Sequence, residues 1–352
     1  LWAFLSQAVF KGEHRSCVAA VARVAVLMAA MHRRVSNDTA AYCRARARLP
    51  ETVIERLAIG LADRCEQTVP PQWLWHRRHV HLVDGTTLSM PDTPANQAAW
   101  PQPRSQKKGL GFPLIRLVVL MSLATGMTTG MALGPYRGKR TGETALFRRL
   151  LGSLRPGDIF VADRYMCSYF MLALAKEKGV DAVVRQHQLR KTDFRRGKSL
   201  GKSDHLVQWK RPQRPEWMDR ETYRRMPEFL EVREVRVHVD QPGFRADSFV
   251  VVTTLTDQKT YPSTEIAALY HKRWLVELDI RAIKTNMGFD VLRCKSPEMI
   301  RKELWTCFLA YNLIRKAMLE TAFSKACSPR RLSFTAAMQE IGAGWTVVFL
   351  LG

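Results

Sequence analysis

This 352-residue sequence predicts an α/β fold with an α-helical amino-terminal region and a β-rich insertion. Three observations predict it. Strand-like apolar runs at 79–93, 112–134, 158–163 and 180–185 are interleaved with helical patterns at 141–152 and 167–179. Residues 1–75 read as helices. Residues 186–248 change character, alternating apolar and polar positions amid dense Arg and Lys, before a helical pattern begins at 263. The expected layout is a helical region at 1–75, a first core part at 76–186, an insertion at 187–247, a second core part at 248–325 and a carboxyl-terminal segment at 326–352.

In the amino-terminal region, the apolar density of 17–31 predicts a buried helix. Ser36, Asn37 and Asp38 offer a cap for the next, through Arg46, and Pro50 suits the first turn of a third at 51–66. Arg33, Arg34, Arg44, Arg46 and Arg48 make the region basic, which fits either a DNA-gripping surface or a solvated face. His76, His79 and His81 cluster with no Cys nearby, and a loop or core role is expected of them.

Residues 79–93 (HVHLVDGTTLSMPDT) form a strand expected to end at Asp84-Gly85. That pair fits a plain turn, or a carboxylate at a strand end; Asp92, after Pro91, is the loop-like competitor. The uncharged stretch 117–134 is long enough to raise a membrane span, but Gly126, Thr128, Thr129 and Gly130 interrupt it, and a buried hairpin explains it better. A helix at 141–152 follows, ended by Gly152. The strand DIFVAD then ends on Asp163, and a helix at 167–179 leads to the strand at 180–185. Three strands, helix, strand, helix, strand is the order of the ribonuclease H-like fold, in which strands one and four are neighbours. Asp84 and Asp163 would then lie side by side although 79 residues separate them. Beyond them, 205–210 and 229–239 alternate like half-exposed strands of the insertion, 248–255 returns as a strand, and 304–319 is an amphipathic helix.

Residues 263–288 (STEIAALYHKRWLVELDIRAIKTNMG) carry the most specific pattern. Ser263 or Thr264 as cap, Glu265 in the first turn and Gly288 at the end predict one helix of roughly seven turns. Tyr270, Arg273, Glu277 and Lys284 then share one ribbon spanning about 60° of arc. A metal-binding carboxylate flanked by phosphate-binding groups fits that ribbon. So does a solvated face with Arg273–Glu277 and Glu277–Arg281 pairs.

Composition narrows the partner. Lys and Arg number 55 against 32 Asp and Glu, a net charge of +23, which implies a polyanion such as nucleic acid. Seven scattered Cys without a CxxC pair suit reduced thiols in a cytoplasmic protein, and no signal peptide is read. The sequence opens on Leu1 and stops within the apolar run WTVVFLLG, so further segments are expected at both ends.

The order Tyr270-x2-Arg273-x3-Glu277-x6-Lys284, with DGTT at 84–87 and DRY at 163–165, resembles the YREK signature of the IS4 family of bacterial DDE transposases. The resemblance spans about residues 35–320, and the family's β insertion explains the 114 residues between Asp163 and Glu277. It implies a catalytic, metal-binding trio of Asp84, Asp163 and Glu277. Two Mg²⁺ ions, replaceable by Mn²⁺, would sit about 4 Å apart, Asp84 bridging them. It implies cut-and-paste DNA transposition: cleavage at terminal inverted repeats, then transfer of the freed 3′-hydroxyl, through a hairpin, into target DNA. Partners are double-stranded DNA, both transposon ends and target, and a second copy in a synaptic homodimer. A cytoplasmic, nucleoid-associated location follows, with no membrane. Tyr270, Arg273 and Lys284 contact phosphates in this reading. Arg164 binds phosphate or pairs with a carboxylate, and Phe249 or Trp209 holds a flipped base unless each is simply core. The alternatives are an inactive or repurposed DNA-binding derivative and an RNase H-like nuclease without strand transfer. Replacing the carboxylate by Glu277→Ala is expected to abolish DNA cleavage while leaving DNA binding measurable by gel shift; full cleavage by that variant would remove Glu277 from the trio.

Overall fold

The computed structural model describes residues 1–107, 109–238, 248–345 and 347. The expected end of the 229–239 strand, the insertion's closing stretch to 247 and most of the terminal apolar run lie outside the described residues.

Helices α1 (Trp2–Val9), α2 (Cys17–Ala30), α3 (Thr39–Arg48) and α4 (Glu51–Gln67) precede the sheet. Asp38 caps α3, its carboxylate accepting from the amides of Ala40 and Ala41. The buried helix expected at 17–31 is only partly buried instead. Only Ala20, Val21 and Leu27 of α2 are buried, while Val18 and Val26 face water, because its neighbours α1 and α3 cover a single side.

The sheet starts with β1 (Val80–Ser89), α5 (Pro94–Ala99), β2 (Leu114–Ser122) and β3 (Thr128–Pro135). The apolar stretch at 117–134 is therefore the hairpin β2–β3, and no described helix is long and apolar enough to cross a membrane. Next come α6 (Glu143–Leu150), β4 (Ile159–Ala162), α7 (Tyr169–Glu177) and β5 (Asp181–Arg185). The insertion supplies β6 (Lys198–Gly201), β7 (Asp204–Lys210), α8 (Arg220–Arg225) and β8 (Phe229–His238). The chain returns through β9 (Ser248–Thr253), α9 (Ser263–His271) and α10 (Trp274–Arg281), then α11 (Pro297–Ser324) and α12 (Phe334–Ala343).

Among the described residues, nine strands join one sheet in the order β3-β2-β1-β4-β5-β9-β8-β7-β6. The pairs β1–β4 and β4–β5 are parallel and the rest antiparallel. Strands one and four are thus neighbours, as the ribonuclease H-like order requires, and β9 welds the insertion to the core. Period-two alternation sorts the two faces. Leu82 and Val161 join one cluster with Ile266, Leu269 and Val276 of the α9–α10 segment; Val83, Phe160 and Ala162 join the other with Leu146 and Phe147 of α6.

Two local expectations are corrected. Asp84-Gly85 does not end β1, which runs on to Ser89 with Asp84 opposite Val119 and Gly85 opposite Val118. Gly85 serves close approach instead: a Cβ there would lie 2.5 Å from the Glu143 carboxyl carbon. The single seven-turn helix is also interrupted. Amides of Lys272 and Arg273 bond back only three residues, which separates α9 from α10, and residues 282–286 form a π-turn. Ser263 is the first helical residue after Pro262, and no side chain caps the start. Gly288, at φ +72°, ends the segment as expected.

Asp279 of α10 anchors this segment. Fully buried, it accepts from Arg315 of α11 and, through both oxygens, from Arg330, whose guanidinium also donates to the carbonyls of Ser122 and Leu123. Asp279→Ala leaves a buried Arg315 uncompensated and is expected to cost about 3–5 kcal/mol, read as a lower urea midpoint.

Candidate active site

Register places the first two carboxylates. Leu82 of β1 lies opposite Val161 of β4, so Asp84 and Asp163, each two residues on, stand level at the point where β4 ends. Both share the alternation phase of Leu82 and Val161, which is the α9–α10 face. Asp84 Oδ1 accepts from its neighbour's amide, Gly85 N, at 2.8 Å, and Asp163 Oδ1 accepts from Tyr165 N at 2.9 Å, capping a short turn.

The third carboxylate arrives on α10. Arg273 Nη2 donates to Glu277 Oε1 at 2.6 Å, and its Nη1 lies 3.7 Å from Asp84 Oδ2. One guanidinium therefore spans the strand acid and the helix acid, and the Arg273–Glu277 pair faces the sheet rather than forming a solvated ribbon. Lys284 also turns inward: its ammonium donates to Thr86 Oγ1 at 3.2 Å and to the carbonyl of Thr87 at 3.1 Å, tying the π-turn to β1 just past Asp84. Beyond Gly288 the chain bonds along the same strand end, Ser89 N to the Asp290 carbonyl and Leu292 N to the Ser89 carbonyl.

Electrostatics report the crowding. Burial pushes the Asp84 carboxyl up to about 6; Glu277 and Asp163 push the same way, against the Gly85 amide and Arg273. Arg273 holds its proton more tightly than usual: burial opposes the charge, but Tyr270, Glu277 and Asp84 outweigh it. Glu143, behind Gly85 on the other face, is raised by burial and by Asp163. Sequence reading passed over Glu143 because a lone Glu opening a helix carries no distinctive spacing.

The remaining expected residues divide. Tyr270 is buried and its phenol is pushed up to about 12 by burial; it packs on half-buried Phe249 with ring centroids 5.2 Å apart, over which Arg185 stacks. Arg164 is half-exposed and donates to Gln188 of the basic loop after β5 at 2.9 Å, so it pairs with an amide and not with a carboxylate. Trp209 is corrected outright as a base platform: it is 3% exposed, its indole donates to Glu234 at 3.0 Å, and Arg190 covers its ring. Trp274 went unremarked in the sequence, yet it is 58% exposed, next in the chain to Arg273. A large aromatic directly after the Arg of the ribbon was the available signal. The three clustered His take core and pairing roles: His81 between Thr129 and Asp158, His79 on Glu66, His76 on Glu265.

Among the described residues, no three acidic, His or Cys side chains stand close enough to form a ready ion cage. The donors converging here are carboxylate oxygens alone, which suits hard divalent cations in kind. Arg273 now meets part of the negative charge that such ions would meet.

A ribonuclease H-like sheet with acids on its first strand, at its fourth strand's end and on a late helix defines the class. The pattern called Transposase DDE domain matches residues 75–313, and the chain belongs to that family. Within it, the chain is similar to an IS4-element protein. It is 30% identical over 304 residues to "Transposase InsG for insertion sequence element IS4" of Escherichia coli K12, a match covering 84% of this chain and 64% of that relative. The chain thus spans just under two thirds of that relative's length. "Putative transposase InsZ" of the same strain is 27% identical over 106 residues, 30% of this chain and 34% of that protein. A piggyBac transposase synaptic complex with hairpin DNA superposes at a TM-score of 0.49 and 12% identity, over 99% of this chain and 71% of the other.

Because Asp84 binds its proton more tightly folded than unfolded, its charge destabilises the metal-free fold at neutral pH. Stability from this group is greatest below about 4, its usual range, and falls as pH rises through about 6. In chelator, Asp84→Asn should therefore melt higher than the parent at pH 8, and the difference should vanish by pH 4; equal melting at both pH values would contradict the burial of this charge.

Proposed function

We propose that this chain is a metal-dependent DNA-cleaving and strand-transferring transposase acting at the ends of a mobile element. The observation that carries the proposal is Arg273 reaching both Asp84 and Glu277, residues 193 apart in sequence, so that the YREK ribbon and the DGTT strand form one site.

In this reading Asp84, Asp163 and Glu277 hold two divalent ions, Mg²⁺ with Mn²⁺ as substitute. Such ions, held by these three carboxylates, would supply Lewis-acid activation of water and of the leaving oxygen. Asp163 keeps one oxygen on the Tyr165 amide and Asp84 one on Gly85, which fixes the orientation of the carboxylate at the end of β4 and of the one within β1. Arg273 turns from Glu277 and Asp84 to a phosphate of the bound strand, so the same guanidinium serves the empty and the engaged site. Lys284 keeps the helix on β1 through Thr86 and Thr87. Tyr270, buried, supports Phe249 and Arg273 rather than touching phosphate. Trp274 takes the place given to Trp209 as the aromatic open to a base, where stacking is worth about 1–3 kcal/mol. The loop after β5, with exposed Arg190, Lys191, Arg195 and Arg196 next to Arg164, follows the DNA backbone.

The finer sequence is cleavage at terminal inverted repeats by water, then attack by the 3′-hydroxyl on the opposite strand and on target DNA. A homodimer bridges two ends, in the cytoplasm at the nucleoid. A plasmid carrying the element's own ends should be cut at those ends with Mg²⁺ or Mn²⁺, should stay intact in chelator, and should yield joined products. Cuts without joining would indicate a plain nuclease. Binding without cuts, the same in the parent and in Glu277→Ala, would indicate a DNA-binding remnant.

A further inference from the structure

The loop joining β1 to β2 presents Leu110 and Phe112 to water, 75% and 59% exposed, although the loop itself is closely tied. Gln102 donates to the carbonyls of Gln106 and Lys107 and accepts from Gly109 N; Gln97 holds the carbonyl of Gly111 and the side chain of Asp92. At Gly111 a Cβ would overlap the Gln102 and Gln106 side chains, so the glutamines close over a bare backbone. Ordering a loop while leaving two large apolar side chains in solvent costs stability with no burial of those side chains in return. Charge points to the occupant. The adjoining groove, about 790 Å³, is lined by Arg104, Lys107 and Arg137, with Asp92 its one acid among the described residues. Lys139 stands exposed nearby, after β3.

We propose that this loop is a wedge for duplex DNA: Arg104, Lys107 and Arg137 hold the backbone while Leu110 and Phe112 enter a base step and unstack it. The proposal rests on the reading of the site as DNA-processing. The loop leaves β1 five residues beyond Asp84, about 17 Å along the strand at roughly 3.3 Å per residue. At about 3.4 Å per base pair, the opened step lies about five pairs from the cleaved phosphate.

The test uses the full chain and a duplex of the element's own end, with 2-aminopurine stepped through successive positions. The parent protein should raise emission severalfold at one step near that distance. Leu110→Ser/Phe112→Ser should lose that rise and cut the paired end roughly tenfold more slowly, while an end mismatched at that step restores its rate. Emission rising equally with the variant, or a variant that changes oligomeric state and not emission, would overturn the wedge. Parent protein that binds but never cuts would overturn the proposed activity and leave emission to decide the wedge; no DNA binding would overturn both.

Discussion

Asp84, Asp163 and Glu277 repel one another in a half-dry setting, and the guanidinium of Arg273 is what meets that repulsion while the protein stands alone. A carboxylate that close to others and that far from water is costly unless a cation is near. The surroundings follow from this constraint. Arg273 must reach two acids, so it sits where the helix tightens between α9 and α10. Glu277 must then be held against the pull of solvent, which the Asp279 anchor to Arg315 and Arg330 achieves two residues away. Lys284 fixes the far end of the same segment on β1. A helix pinned at two points with a charged clasp between them is stiff where the acid is delivered, yet the clasp itself is exchangeable.

Much of this was legible in the residues. The strand order came through because the apolar runs are short, bounded by Gly and Pro, and separated by helical periods. Asp84 and Asp163 were found because each follows a run of β-branched and apolar residues. What the sequence could not convey was direction and cover. Asp84-Gly85 has the composition of a turn, and nothing local reveals that Glu143 lies over Gly85 or that the strand runs on to Ser89. Trp209 alternates like a half-exposed strand residue, but Glu234 and Arg190 come from elsewhere in the chain to enclose it. Apolar density in α2 predicted burial, yet density does not supply a partner for every face. The interrupted helix was missed for a related reason: Ile266, Leu269, Val276 and Ile283 keep helical spacing in the sequence and all reach the same core, although the turn between α9 and α10 is tightened.

The insertion illustrates how polar networks organise a surface. Buried Glu234 accepts from Thr192, His205 and Trp209, and Arg233 pairs with Asp204 through two hydrogen bonds. These bonds hold the basic loop after β5 down on the strands, so its cations project from a firm base. Positive charge on a fixed scaffold can track a phosphate backbone with little further loss of conformational freedom.

The place of β9 in the sheet has a temporal meaning. Its neighbours are β5, made long before it, and β8, made just before it. A chain leaving the ribosome amino end first can pair β1 to β5 early. The helix bearing Glu277 hangs from β9 and cannot dock until the intervening strands have settled. An unfinished polypeptide therefore holds two of the acids and lacks the third until α10 has been made.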